Sequence, residues 1–169
     1  MNRILALSVI VSFLSVGCKD NEPENPVKET EKITFKGIVE RDTRGIPYTE
    51  DPDDWKFTDK WVEQELSLFG KSLGTNCLLP ESYGIIAYPN PCIDKVSIHV
   101  NKPDSVRLAL RIVDRNFKVL MSKDSLYSKI TMFDVGSLGI QDTVRVYYKF
   151  MNGSCEFRGH GDVVIKKQL

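Results

Sequence analysis

Apolar and polar residues divide this chain into stretches of different pattern. Residues 4–16 are apolar apart from three serines, whereas residues 19–31 hold one aliphatic side chain, Val27, among lysines, acids, asparagines and prolines. Ile33, Phe35 and Val39 lie on odd positions, with Thr34, Lys36 and Gly37 among the residues between them, which predicts a strand. Trp61, Val62, Leu66 and Phe69 fit one face of a short helix, while Leu66 and Leu68 would also alternate as an irregular wrap; both are allowed. From residue 83 the alternation is plain. Val96, Ile98 and Val100 interleave with Ser97, His99 and Asn101, and Val106, Leu108, Leu110 and Ile112 with Arg107, Ala109 and Arg111, so each set turns one face inward. Residues 117–121, 129–134, 144–151 and 161–166 read as further short strands, with Asn152-Gly153 as the hairpin signal between the last two.

About six short strands spaced by about ten residues, with no long helix between them, predict an all-β fold: an immunoglobulin-like antiparallel β-sandwich over residues 83–169. Ahead of it stands a partly irregular segment, 32–82, with one strand, an acidic loop and a tryptophan-rich helix or wrap. The polar stretch within 18–31 cannot bury enough apolar area to offset its ordering entropy and is expected to be a disordered tether.

Residues 1–17 carry the charge-then-apolar order of a cleaved secretory signal, with Arg3 ahead of the apolar run. The run is shorter than the roughly 20 residues a membrane-spanning helix needs. Leu14-Ser15-Val16-Gly17-Cys18 resembles a lipobox, in which the cysteine sulfur receives a diacylglycerol and the chain is cut in front of it. Ser15 departs from the leucine usual there. The resemblance makes Cys18 the lipidation site and a membrane the first partner, because each buried methylene contributes about 0.8 kcal/mol and two or more acyl chains hold a protein on a bilayer. Lys19-Asp20-Asn21-Glu22 resembles the lysine-plus-acid signal that sends some lipoproteins to the outer face of the outer membrane. That location is expected ahead of a periplasm-facing one.

Removing residues 1–17 takes one basic residue from 23, leaving 22 against 23 acidic. A near-neutral mature chain argues against a nucleic-acid partner, which would require a concentrated basic surface. Hydrophobic residues at 41% and charged residues at 27% are those of an ordinary globular domain.

Ala87-Tyr88-Pro89-Asn90-Pro91 resembles the Tyr-Pro-Asn-Pro opening of the C-terminal sorting domain of type IX secretion. Tyr88, Pro89, Asn90 and Pro91 are its sharp element. The order of the downstream segments agrees: an alternating strand over 95–100, a strand ending near Asp114, the segment 133–138, and the Val- and Lys-rich 163–167. Arg115-Asn116 stands where that family has a glycine turn, and Ile140-Gln141-Asp142 departs after Gly139. Asp51-Pro52-Asp53-Asp54-Trp55 and the region 155–163 are instead similar to a group of small lipoproteins sharing such a sandwich. The first resemblance implies a secreted passenger and contact with secretion machinery. The second implies that the sandwich is the body of the protein, its fold present without the sorting role.

Candidate chemistry is sparse. With Cys18 lipidated, Cys77, Cys92 and Cys155 remain, of which one pair can form a disulfide in an oxidising compartment; spacing does not say which. His99 and His160 lack ligand spacing with each other or with the cysteines, so neither metal nor cofactor is expected. No nucleophile, base and orienting group fall into a catalytic pattern, and the protein is read as a non-enzyme. The acidic run Glu50 to Asp54 lacks a calcium loop's ligand spacing and reads as a solvated turn. Trp55 and Trp61 are candidate platform residues for a glycan or peptide. The expected role is a membrane-anchored structural or interaction module with a protein or glycan partner.

Overall fold

The computed structural model describes residues 31–70 and 77–167. The expected signal, lipidation site Cys18 and nearly all of the tether lie outside the described residues. Among the described residues there are eight strands, β1 (Lys56–Phe57), β2 (Gly84–Tyr88), β3 (Lys95–Asn101), β4 (Arg107–Val113), β5 (Val119–Leu126), β6 (Ile130–Asp134), β7 (Thr143–Asn152) and β8 (Cys155–Val164), with one short helix, α1 (Glu63–Ser67), and a 3₁₀ turn at Gly136–Leu138. They form two antiparallel sheets packed as a sandwich, of order β1-β8-β7-β4-β5 and β2-β3-β6.

The alternation explains the packing. Val96, Ile98 and Val100 of β3 and Ile85 and Ala87 of β2 meet Leu108, Leu110, Ile112, Val146, Tyr148 and Phe150 of the larger sheet in one core. Burying each of the larger side chains is worth about 1.5–3 kcal/mol.

The larger sheet is covered on its other face as well. Ile33 and Trp61 pack there on Val113 and Tyr147, joined by Phe35, Leu66, Leu68, Phe69 and Phe117. The helix-or-wrap expectation for 61–69 resolves as both: α1 is a single turn capped by Glu65, whose Oε2 accepts the Val62 N–H at 2.8 Å, and it sits within a wrap lying across the sheet.

Several expectations are corrected. Ile33, Phe35 and Val39 form no strand; Ile33 and Val39 are buried, and the Ile33 N–H donates to the Arg115 carbonyl at 2.7 Å. Their alternation reflects anchoring at separate points, not a ladder. The residues read as a strand at 117–121 open on a turn, with Phe117 at φ 60°, and β5 begins at Val119. The hairpin turn lies one residue later than Asn152-Gly153: Asn152 pairs with Cys155, leaving Gly153 and Ser154 as the loop. Gly153, at φ 59°, fills the first central position, where a type II′ turn requires positive φ.

β8 is ten residues long, starting at Cys155, not 161. Its inward positions include Gly159 and Gly161, which erase the apolar signal. A Cβ on Gly159 would stand 2.1 Å from the Lys56 carbonyl, and one on Gly161 2.2 Å from the Trp55 indole. Nor is residue 83 a boundary in space, since Val39 and Trp55 belong to the main core and β1 pairs with β8.

Candidate functional site

The sorting-domain motif stands at the exit of β2, with both its X-Pro bonds, Tyr88–Pro89 and Asn90–Pro91, cis. Asn90 is fully buried. Its Nδ2 donates to the carbonyls of Val39 at 3.0 Å and Asp162 at 2.9 Å, and its Oδ1 accepts the Val164 N–H at 2.9 Å. Its backbone exchanges two further bonds with Arg41, at 2.6 and 3.0 Å. The motif therefore joins the N-terminal segment, β2 and β8.

Asp54 completes this junction and corrects the reading of 50–54 as a solvated turn. Asp51 fits that reading, its Oδ1 accepting the N–H groups of Asp53 and Asp54 at 2.7 and 3.2 Å. Asp54 instead turns inward, where Oδ2 accepts the Val39 N–H and Oδ1 the Asp162 N–H, each at 2.8 Å. Burial pushes its carboxyl up to about 6, against the pull of those two N–H donors and with the charges of Asp162 and Asp51 adding to the rise. The Asp162 carboxylate is held by Arg145 through Nε at 2.7 Å and Nη2 at 2.8 Å.

Trp55 and Trp61 are not a ligand platform: they are 7% and 8% exposed. Each serves a face of the larger sheet. Trp55 seats on Gly161 and stacks parallel to Tyr148. Trp61 lies on the outer face, stacked with Phe69, edge-on to Tyr147 and beneath the Arg158 guanidinium at 5.4 Å.

The wrap roofs a layer of paired charges that sequence reasoning missed, because on a strand such charges read as solvent-facing. Lys149 and Glu156 pair at 3.1 Å, and Arg158 approaches Glu156 at 3.6 Å, all three buried. Arg111 Nε donates to the Leu68 carbonyl at 3.0 Å, and the Tyr147 hydroxyl to Glu65 Oε1 at 2.9 Å. At the margin of the wrap a cleft of about 330 Å³ is lined in part by Lys56, Lys60, Trp61, Glu65 and His160. Burial and the Arg145 charge lower the His160 pKa.

Cys77 and Cys155 form the disulfide, tying the chain ahead of β2 to the start of β8. Cys92 is a buried free thiol pushed up to about 11, chiefly by burial. His99 Nδ1 lies 3.1 Å from the Tyr88 hydroxyl, with the two rings packed at 4.2 Å. Among the described residues no three His, Cys, Asp or Glu side chains converge to hold a metal ion.

Among the described residues, exposed apolar side chains also stand on the outer face of the smaller sheet. The register places Ile86, His99 and Ile130 in one cross-strand row and Tyr88, Ser97 and Met132 in the next. Ile130 and Met132 are 59% and 63% exposed. A shallow depression of about 280 Å³ lies over Gly84, Ile86, His99 and Asn101. No protein-family model, no curated protein and no solved structure matches this chain.

Proposed function

We propose that this protein is a lipid-anchored lipoprotein of the outer membrane whose β-sandwich is a non-catalytic interaction module, meeting a protein partner through the outer face of the smaller sheet. The carrying observation is the contrast between the two outer faces. One is covered by the chain's own wrap over paired charges; on the other, among the described residues, Ile130 and Met132 are exposed beside the half-buried Ile86, Tyr88 and His99. Aliphatic, thioether and aromatic groups grouped on one face suit a protein interface better than a charged ligand. Anchoring rests on the sequence pattern that ends at Cys18.

The integration of Val39, Trp55 and Asn90 into one core supports the sandwich as the protein's body and not a detachable tail. Cutting near Tyr88 would sever Trp55 and β1 from the chain that carries the rest of the larger sheet, leaving only the Cys77–Cys155 disulfide as a covalent tie between the pieces.

Two measurements test the reading. Cys18→Ser should move the protein from the membrane to the soluble fraction, and unchanged partitioning would end the anchoring half. A photo-reactive residue at position 132 should give in cells a discrete crosslink that is lost with Ile130→Glu and is not reproduced from position 123 on β5. Equal yields from both positions would end the interface half.

A further inference from the structure

The N-terminal segment is fastened at Val39 by two side chains of different kinds. Asn90 holds the Val39 carbonyl and cannot titrate, while Asp54 holds the Val39 N–H and can. The charges of Asp51 from its own loop and Asp162 from β8 bear on the Asp54 carboxyl, and the Asp54 charge in turn reaches the Tyr148 hydroxyl of β7. The cation beside Asp162, Arg145 of β7, is committed to it by two bonds. The Tyr148 hydroxyl is buried without a hydrogen-bond partner. Asp54 thus shares a partly buried site with like charges and, among the described residues, forms no ion pair of its own.

We propose that Asp54 is a proton-operated latch between the N-terminal segment and the sandwich, holding the backbone at Val39 against β8 when its carboxyl is protonated and loosening when the proton leaves for solvent. Protonation does not break the bridge, because a carboxylic acid keeps acceptor capacity on its oxygens for the N–H groups of Val39 and Asp162. What it removes is the cost of a buried charge facing Asp162 and Asp51.

The docked carboxyl sits at about 6, against an ordinary 3.8 once released. A raised docked value means that docking is fully supported below the ordinary value and loses that support as pH rises to the docked one. The window is therefore about pH 4 to 6, with a level plateau above about 7. Across the whole window the opening equilibrium shifts on the order of 100-fold, and about tenfold of this falls between about pH 5 and 7. His160 acts in the opposite sense, since its lowered pKa favours folding as pH rises. A global unfolding curve mixes the two, so the readout has to be local.

The test on the mature chain is a ¹³C titration of the Asp54 carboxyl together with hydrogen-exchange protection of the Val39 amide, corrected for intrinsic exchange. The expected results are a midpoint near 6 and protection about tenfold lower at pH 7 than at pH 5. Asp54→Asn should make Val39 protection independent of pH. Asp51→Asn, which keeps its turn-forming carbonyl, should lower the midpoint, and it keeps the test available if Asp54→Asn does not fold. An Asp54 midpoint near 3.8, or Val39 protection equal at the two pH values, would overturn the latch.

Discussion

Val39 and Asp162 are joined through side chains. Asn90 gives its amide protons to both carbonyls, at 3.0 and 2.9 Å, and Asp54 takes both N–H groups, each at 2.8 Å. An irregular segment is thereby added to a sheet without strand geometry, and every backbone polar group at the contact is satisfied.

Removing Asn90 should be among the costliest single changes in the chain. Asn90→Ala deletes three side-chain hydrogen bonds and leaves their backbone partners without it, at about 1–3 kcal/mol for each group left buried and unsatisfied. Asn90→Asp, almost the same shape, should do no better, because it turns an acceptor-only oxygen toward two carbonyls. Urea denaturation of both variants checks this; a loss under about 1 kcal/mol for either would show that the junction carries little of the stability.

How far the sequence disclosed this architecture depended on which side of each strand carried the signal. β3 and β4 announce themselves, since their inward residues are aliphatic and their outward ones mostly polar. β8 hides because Gly159 and Gly161 stand inward, and because Glu156, Arg158 and Asp162 are charged yet covered. Asp51 to Trp55 and Tyr88 to Pro91 were visible as separate motifs. Their meeting around Val39 depends on residues up to 108 positions apart, such as Asp54 and Asp162, which no local pattern encodes. The two tryptophans misled for a related reason: aromatic clustering is equally the mark of a binding platform and of a cover over a sheet.

Gly161→Ala should destabilise the fold through Trp55. The added methyl would stand 2.2 Å from the indole, and Trp55 cannot easily retreat, being at φ 60° and packed on Tyr148. Overpacking of this kind costs about 1–3 kcal/mol, and loss of the indole's seat raises the figure toward its upper end. Thermal unfolding is the measurement, and a change in Tm under about 2 °C would mean that the tryptophan repacks without penalty.

Loss of the disulfide should act on the wrap before it acts on the sandwich. The Cys77–Cys155 bond spans a separation of 78 residues, so chain entropy alone sets its contribution near about 4.5 kcal/mol at most. It also fastens the chain on the C-terminal side of the wrap, while β1 pairing with β8 holds the chain on its N-terminal side. Cys77→Ser with Cys155→Ser should therefore make Trp61 more accessible to acrylamide while leaving Trp55 shielded in the core. Single-tryptophan variants separate the two signals, and equal quenching of both would mean that wrap and core open together.

The covered charges make a sharper claim, because removing either end of the Lys149–Glu156 pair should not cost the same. Glu156→Leu strands two cations under the wrap, Lys149 at 3.1 Å and Arg158 at 3.6 Å from the lost carboxylate, and breaking a buried pair in this way costs about 3–5 kcal/mol. Lys149→Met leaves Glu156 with Arg158 and places an apolar side chain beneath the Phe69 ring, which lies 5.4 Å from the lysine nitrogen. Its cost should be clearly smaller. The double variant should fall between the two single changes, since Arg158 loses the carboxylate but keeps its bond to the Asp59 carbonyl at 3.3 Å and its place over Trp61. A double-mutant cycle on urea midpoints reads the order directly. Equal costs for the two single changes would mean that Arg158 shares nothing of the carboxylate, and that the layer under the wrap is a set of separate pairs and not a network.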